Sequence, residues 1–118
     1  MMKVKELVEK MNLTVFGGES GLDREIKGGY VSDLLSDVMG CSDEGDLWVT
    51  LQSHRNVVGI AALKDLAGVI VVKGFTPDAD TIEDSNREGM PLLGATAETF
   101  EVAGRLHRML AGDADLPG

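Results

Sequence analysis

Val4, Leu7, Val8 and Met11 fall at i, i+3, i+4 and i+7, with Lys5, Glu6, Glu9 and Lys10 on the other face, which predicts a short amphipathic helix. Leu13 to Phe16 reads as a strand stopped by Gly17-Gly18, and Glu19-Ser20-Gly21 as a turn. Glu25 to Val31 is expected as a second strand, loosened by Gly28-Gly29, because glycine inside a strand marks a bulge or a close backbone approach. Ser32 and Asp33 are both good N-caps for a short helix bearing Leu34, Leu35 and Val38 and closed by Gly40. A strand at Asp46–Thr50, a polar loop from Gln52 to Asn56 and an alanine-rich apolar helix from Val57 to Leu66 follow.

Gly68-Val69-Ile70-Val71-Val72 is the strongest strand in the chain. Being apolar at every position, it should be central, buried on both faces and flanked by parallel neighbours. Lys73-Gly74-Phe75 makes a turn, and Thr76-Pro77-Asp78 has the cap, proline and acid of a helix start. Gly89 ends that helix, and Met90 to Leu93 is a short strand. Thr96 is expected to cap a last helix on which Phe100, Ala103, Leu106, His107 and Leu110 share a stripe. From Asp46 onward strands and helices alternate, which argues for an α/β fold with a mostly parallel sheet covered on both faces. The two early strands should add an irregular or antiparallel edge.

The length of 118 residues suits one domain over residues 1–111, with 112–118 as a flexible tail. Hydrophobic residues make up 43% but aromatics only 4%, so the core must be aliphatic. Eleven basic residues against twenty acidic ones give a net charge of −9, and the basic residues are scattered. Nucleic acid and anionic membranes, which bind clustered Lys and Arg, are therefore not expected partners. Cys41 is the single cysteine, which excludes an internal disulfide and suits a reducing compartment. No apolar run approaches the roughly 20 residues of a membrane span. The charged stretch from Met1 to Leu7 is not a signal peptide, so cytoplasm is the expected location.

The chemistry is sparse. No P-loop and no strand-linked G-x-G-x-x-G occurs, and His54 and His107 lie far apart without ligand-spaced neighbours, so no metal or cofactor is expected. Cys41 sits beside Asp43 and Glu44, which would raise a thiol's pKa, and it reads as inert. Asp33 and His54 offer an acid–base pair, but no nucleophile completes a catalytic set, so no enzyme is expected. A ligand site is expected at the carboxyl ends of the strands, where Ser32, Asp33, Thr50, Gln52, His54, Lys73 and Gly74 could converge. Helix N-termini and Lys73 would favour an anionic small molecule there. The competing reading of the polar loop is plain helix capping. Apolar residues on several faces of Val57 to Leu66 suggest surface left to cover, hence a homodimer.

The segment from Leu22 to Asp33, Leu-Asp-Arg-Glu-Ile-Lys-Gly-Gly-Tyr-Val-Ser-Asp, resembles the hallmark segment of the DRTGG domain family, which is related to the N-terminal domain of HPr kinase/phosphorylase. Glu25-Ile26-Lys27 stands where the family's name has Thr. The resemblance extends through Gly45–Gln52, the helix from Asn56, the strand Gly68–Val72 and Gly89–Leu93. It implies a three-layer α/β/α domain, found alone or attached to larger enzymes, with a regulatory, ligand-sensing role toward a nucleotide-like or phosphorylated molecule. The alternative is a protein-interaction module that docks a larger enzyme and has no small-molecule ligand. Asp23 and Arg24 would then either lock a turn or touch the ligand, and Gly28-Gly29 would let the backbone approach a ligand or a neighbouring strand. The kinase activity of the namesake is not implied, since its P-loop domain has no counterpart here.

Overall fold

The computed structural model describes residues 1–112. In chain order the elements are α1 (Val4–Met11), β1 (Thr14–Gly17), a 3₁₀ turn at Glu19–Gly21, β2 (Gly28–Val31), α2 (Leu35–Cys41), β3 (Asp46–Thr50), α3 (Asn56–Leu63), β4 (Gly68–Val71), α4 (Ala79–Glu88), β5 (Leu92–Gly94) and α5 (Thr99–Leu110). The five strands form one sheet in the order β1-β5-β4-β3-β2. β2, β3, β4 and β5 run parallel, and β1 pairs antiparallel with β5. The fold is α/β, in three layers, with a mixed and mostly parallel sheet.

The layering follows from handedness. Each crossover from β2 to β3, β4 and β5 moves one strand in the same direction, and parallel crossovers are right-handed. All three connecting helices must then lie on one face. Val38, Val57, Val58, Ala61 and Ile82 of α2, α3 and α4 accordingly pack on Trp48, Val69, Val71 and Leu92. The opposite face is left for α1 and α5, whose Val4, Leu7, Met11, Val102 and Leu106 cover Leu47, Val49, Ile70, Val72 and Leu93. β4 is the middle strand, fully buried and parallel to both neighbours, as its unbroken apolar run requires.

The second strand is shorter than its sequence suggests. Residues 25–27 are drawn off to other partners: Glu25 bridges to Lys3, the Ile26 amide donates to the Met2 carbonyl, and the Lys27 amide donates to the Gly45 carbonyl. Three helix starts also differ. Leu34, Asp78 and Glu98 occupy the N-cap positions of α2, α4 and α5, in place of Ser32 or Asp33, Thr76 and Thr96, and none makes a side-chain cap. Asp33 is engaged elsewhere, and Pro77 lies before the cap rather than inside the first turn. The tail expected at 112–118 lies, from residue 113 on, outside the described residues.

Arg24 has a structural task. Its guanidinium donates to the Gly89 carbonyl past α4 (3.2 Å), to the Leu66 carbonyl past α3 (3.3 Å) and to Asp65 Oδ1 (3.2 Å). One planar fork thus satisfies carbonyls beyond two helix ends, which otherwise lack donors. Asp23, its neighbour, pairs with Lys5 at 2.9 Å on the exposed surface. The ion pair raises the Lys5 pKa and lowers that of Asp23, mainly through their hydrogen bond.

Candidate functional site

Parallel strands bring their carboxyl ends to one edge of the sheet, so that the residues after β2, β3 and β4 become neighbours. Asp33, just past β2, reaches the end of β3: its Oδ1 accepts from Thr50 Oγ1 (2.9 Å) and from the Leu51 amide (2.7 Å). Gln52 returns the contact, its Nε2 donating to the Asp33 carbonyl at 2.9 Å. Thr50 Oγ1 also accepts from the Gln52 amide (3.1 Å), and its carbonyl accepts from the Val72 amide at the end of β4. Ser32 Oγ accepts from the Leu34 amide, and its carbonyl accepts from Trp48 Nε1 (2.8 Å). Ser32, Asp33, Thr50 and Gln52 are therefore brought together. The two donors on Asp33 Oδ1 offset part of its charge, and no donor is paired with its Oδ2 among the described residues.

His54 is exposed, and its side chain makes no hydrogen bond to Asp33 among the described residues, so the acid–base pair does not assemble. The loop that carries it is fixed from below. The Ser53 carbonyl accepts from the Asp78 amide and from Thr81 Oγ1. Arg55 grips Asp84 with two bonds of 3.0 and 3.1 Å, and Arg87 donates to the same carboxylate at 2.6 Å. The Asp84 side chain is only 10% exposed.

The hydrogen bonds from Arg55 and Arg87 hold the Asp84 carboxyl below its ordinary value. A depressed folded-state pKa confers stability that is complete above the ordinary carboxylate range and is lost as pH falls through the depressed value. Asp84→Asn is accordingly expected to unfold at lower urea than the wild type at neutral pH, with the gap closing in acid. Urea midpoints titrated from neutral pH into the acid range check this; a gap independent of pH would remove the carboxylate's charge from the account.

Lys73 and Gly74 follow β4. Both have positive φ, 62° and 73°, and the Phe75 amide closes the turn on the Val72 carbonyl. Positive φ is costly for a residue with a side chain, and Lys is not one of the types, such as Asn and Asp, that adopt it routinely; Asn12 and Asp65 are the other non-glycine cases among the described residues. Lys73 is exposed and forms no ion pair among the described residues. Beyond it, Gly74, Phe75, Gly94 and Thr96 line a cleft of about 280 Å³ with Asn12, the C-cap of α1, and Thr14, the first residue of the antiparallel strand. This cleft escaped the sequence reading, because only the pairing of β1 with β5 places Asn12 beside Phe75. Since β2 to β5 step in one direction, they lack the reversal of strand order that opens a crevice in doubly wound sheets.

Gly28 and Gly29 lie at the other end. They begin β2, where Gly28 faces Asp46: an added Cβ would come 2.8 Å from its Oδ1. Gly29 faces Leu106 of α5 at 3.1 Å by the same measure. Their smallness serves close packing at the amino edge of the sheet, away from the cluster. Tyr30 donates to Asp37 at 2.8 Å, which pushes the phenol up to about 12 and the carboxyl down. Cys41, nearby, is exposed. Among the described residues no group of three or more His, Cys, Asp or Glu side chains is placed to hold a metal ion, and no helix is long and apolar enough to cross a membrane.

No protein-family model matches the chain, and no curated protein matches it. Among solved structures it is similar to the CBS and DRTGG domains of the regulatory region of Clostridium perfringens pyrophosphatase, solved in complex with the activator diadenosine tetraphosphate. The TM-score is 0.68 at 16% identity, over 88% of this chain and 45% of that one. The chain thus spans less than half of that regulatory region and shares the fold of the part it matches.

Proposed function

We propose that the chain is a regulatory, ligand-sensing module without catalytic activity, and that its ligand is a nucleotide-like or phosphorylated small molecule held at the carboxyl edge of the sheet. The observation that carries this reading is Lys73. An exposed cation on an acidic protein, kept in a strained left-handed conformation, stands between the Asp33–Thr50–Gln52 cluster and the cleft under Phe75. Lys73 would take the phosphate, and Phe75, 48% exposed, offers a ring face for a base. The Gln52 amide and the His54 ring supply further polar contacts, and Asp33 Oδ2 can accept from a sugar hydroxyl. Support from outside comes from the similar pyrophosphatase region, whose activator is a dinucleotide. The relation to HPr kinase/phosphorylase and the cytoplasmic location rest on the sequence resemblance and composition.

A thermal-shift screen of nucleotides and phosphorylated metabolites tests the proposal. A ligand at a hundred times its Kd adds about 2.7 kcal/mol of stability. Lys73→Gly separates function from folding, because glycine accepts the left-handed backbone while removing the cation. It should unfold no earlier than the wild type, yet lose most of the ligand-induced shift, as should His54→Ala to a lesser degree. The reading fails if no such compound shifts the transition, or if both variants keep full affinity.

A second reading is a module that docks a larger enzyme. What favours it is the α2–α3 face, where Leu34, Met39 and Leu63 are exposed.

A further inference from the structure

The cleft under Phe75 gathers aromatic rings in a molecule that has few. Two of the chain's three phenylalanines line it. Phe16 of β1 lies over Gly94 of β5, where any side chain would strike its ring. Phe75 is exposed, and Gly74 and Gly94 add bare backbone to the lining. A cleft of about 280 Å³ whose apolar surface is phenyl ring and backbone suits a flat ring system, which stacks on an aromatic face.

Its polar lining is neutral. Asn12, Thr14 and Thr96 are exposed, and their side chains make no hydrogen bond within the chain among the described residues. Asn12 is anchored through its backbone: it is the left-handed C-cap of α1, and the Leu13 amide beside it donates to the Val8 carbonyl at 3.0 Å. The carboxamide is left free, with an acceptor oxygen beside a donor nitrogen. The cation is tied to the same rim. The Lys73 amide donates to the Ala97 carbonyl and the Gly74 amide to the Ala95 carbonyl, both at 2.9 Å, on either side of Thr96.

This lining discriminates between bases. Adenine sets its amino donor beside a ring acceptor, which one carboxamide matches with both of its atoms. Guanine asks for more on each edge. One edge carries two acceptors, which call for Arg or Lys, and the other adds a second amino donor, which calls for a further acceptor such as a carboxylate. No charged side chain lines the cleft among the described residues, and an unmatched buried donor or acceptor weakens binding. The single ring of a pyrimidine would cover less of the phenyl surface.

We propose that the ligand's base is adenine, seated against Phe75 and Phe16 and read along its edge by Asn12. This rests on the ligand reading above and narrows it. Calorimetric titration of the full chain with ATP, GTP and CTP tests it, since the three carry identical phosphates and their affinity ratios report the base alone. The wild type should bind ATP at least about tenfold more tightly than the other two. Asn12→Gly keeps the left-handed backbone and removes the amide, so its ATP-to-GTP ratio should fall to about one. Asn12→Asp also suits that backbone but turns the donor into an acceptor, so GTP should become the better ligand. Phe75→Ala should weaken ATP at least about fivefold through lost stacking. A wild type that binds the three alike overturns the proposal, and so does an Asn12→Gly variant that keeps the ATP preference. If none of the three binds while another phosphorylated compound stabilises the protein, the adenine assignment falls and the ligand reading stands. If no phosphorylated compound binds, both fall.

Discussion

Val71→Asp is expected to yield no folded protein. Val71 lies on β4, the middle of five strands, fully buried, in register with Thr50 of β3 and Gly94 of β5 and beneath α3. Its side chain belongs to an apolar cluster that also contains Val57, Val58 and Leu66. A carboxylate there would lose its hydration among apolar side chains, and the one polar side chain in register with it, Thr50, already donates its hydroxyl to Asp33, so the burial costs several kcal/mol against a total stability of roughly 5–15 kcal/mol. Protonation limits the loss but leaves a buried polar group unpaired. β3 and β5 cannot move aside to admit water, because β4 is bonded to both. Val71→Ala is the control: it removes two methyl groups and should fold with a loss of about 2 kcal/mol. Far-UV circular dichroism and urea denaturation of both variants decide the matter. A soluble Val71→Asp with a cooperative transition would mean that this face is not the closed layer described here.

The central strand was legible because nothing competes with it: five consecutive apolar residues fit only a strand covered on both faces. α1 was legible to the residue, because its apolar positions match a single helical stripe. Helix starts were not, because a cap residue carries no mark of where its side chain goes. Asp33 and Ser32 looked equally able to cap α2, yet Asp33 crosses to Thr50 and Leu51 on another strand. The last helix misled in a different way. Phe100, Ala103, Leu106, His107 and Leu110 read as one stripe, whereas Leu106 is buried in the core and Phe100 and His107 stay exposed along a groove beside β2. Two interleaved apolar faces on one helix share the same period, and only the packing of Val102 and Leu106 shows which turns inward.

The candidate site was legible in part for a topological reason. Residues that follow parallel strands must meet at one edge, so Ser32, Asp33, Thr50 and Gln52 could be grouped before any coordinates. Gly28 and Gly29 were grouped with them by motif alone, and the strand they begin carries them to the opposite edge. Arg24 shows the same limit. A sequence signature cannot distinguish a ligand contact from a guanidinium that satisfies carbonyls past two helices.

Two glycines with the same backbone angle should respond very differently to alanine. Gly18 and Gly74 both have φ of 73°. At Gly74 an added methyl meets nothing within 4 Å, so Gly74→Ala carries only the left-handed penalty, about 1 kcal/mol. At Gly18 the chain leaving β1 passes directly over the connection between α4 and β5, and its amide donates to Asn86 Oδ1 at 2.9 Å. A Cβ there would fall onto the Met90 carbonyl and lie 2.7 Å from the Pro91 nitrogen. Both obstacles are backbone, and neither can rotate away. The collision therefore adds to the conformational penalty, for a total loss of about 3–5 kcal/mol, much of what a domain of this size has. Urea midpoints of the two variants, with unchanged slopes, give the difference directly. Equal midpoints would show that β1 can lift from the α4–β5 connection at no cost, and that the close approach of Gly18 to Met90 is not what fixes the edge of the sheet.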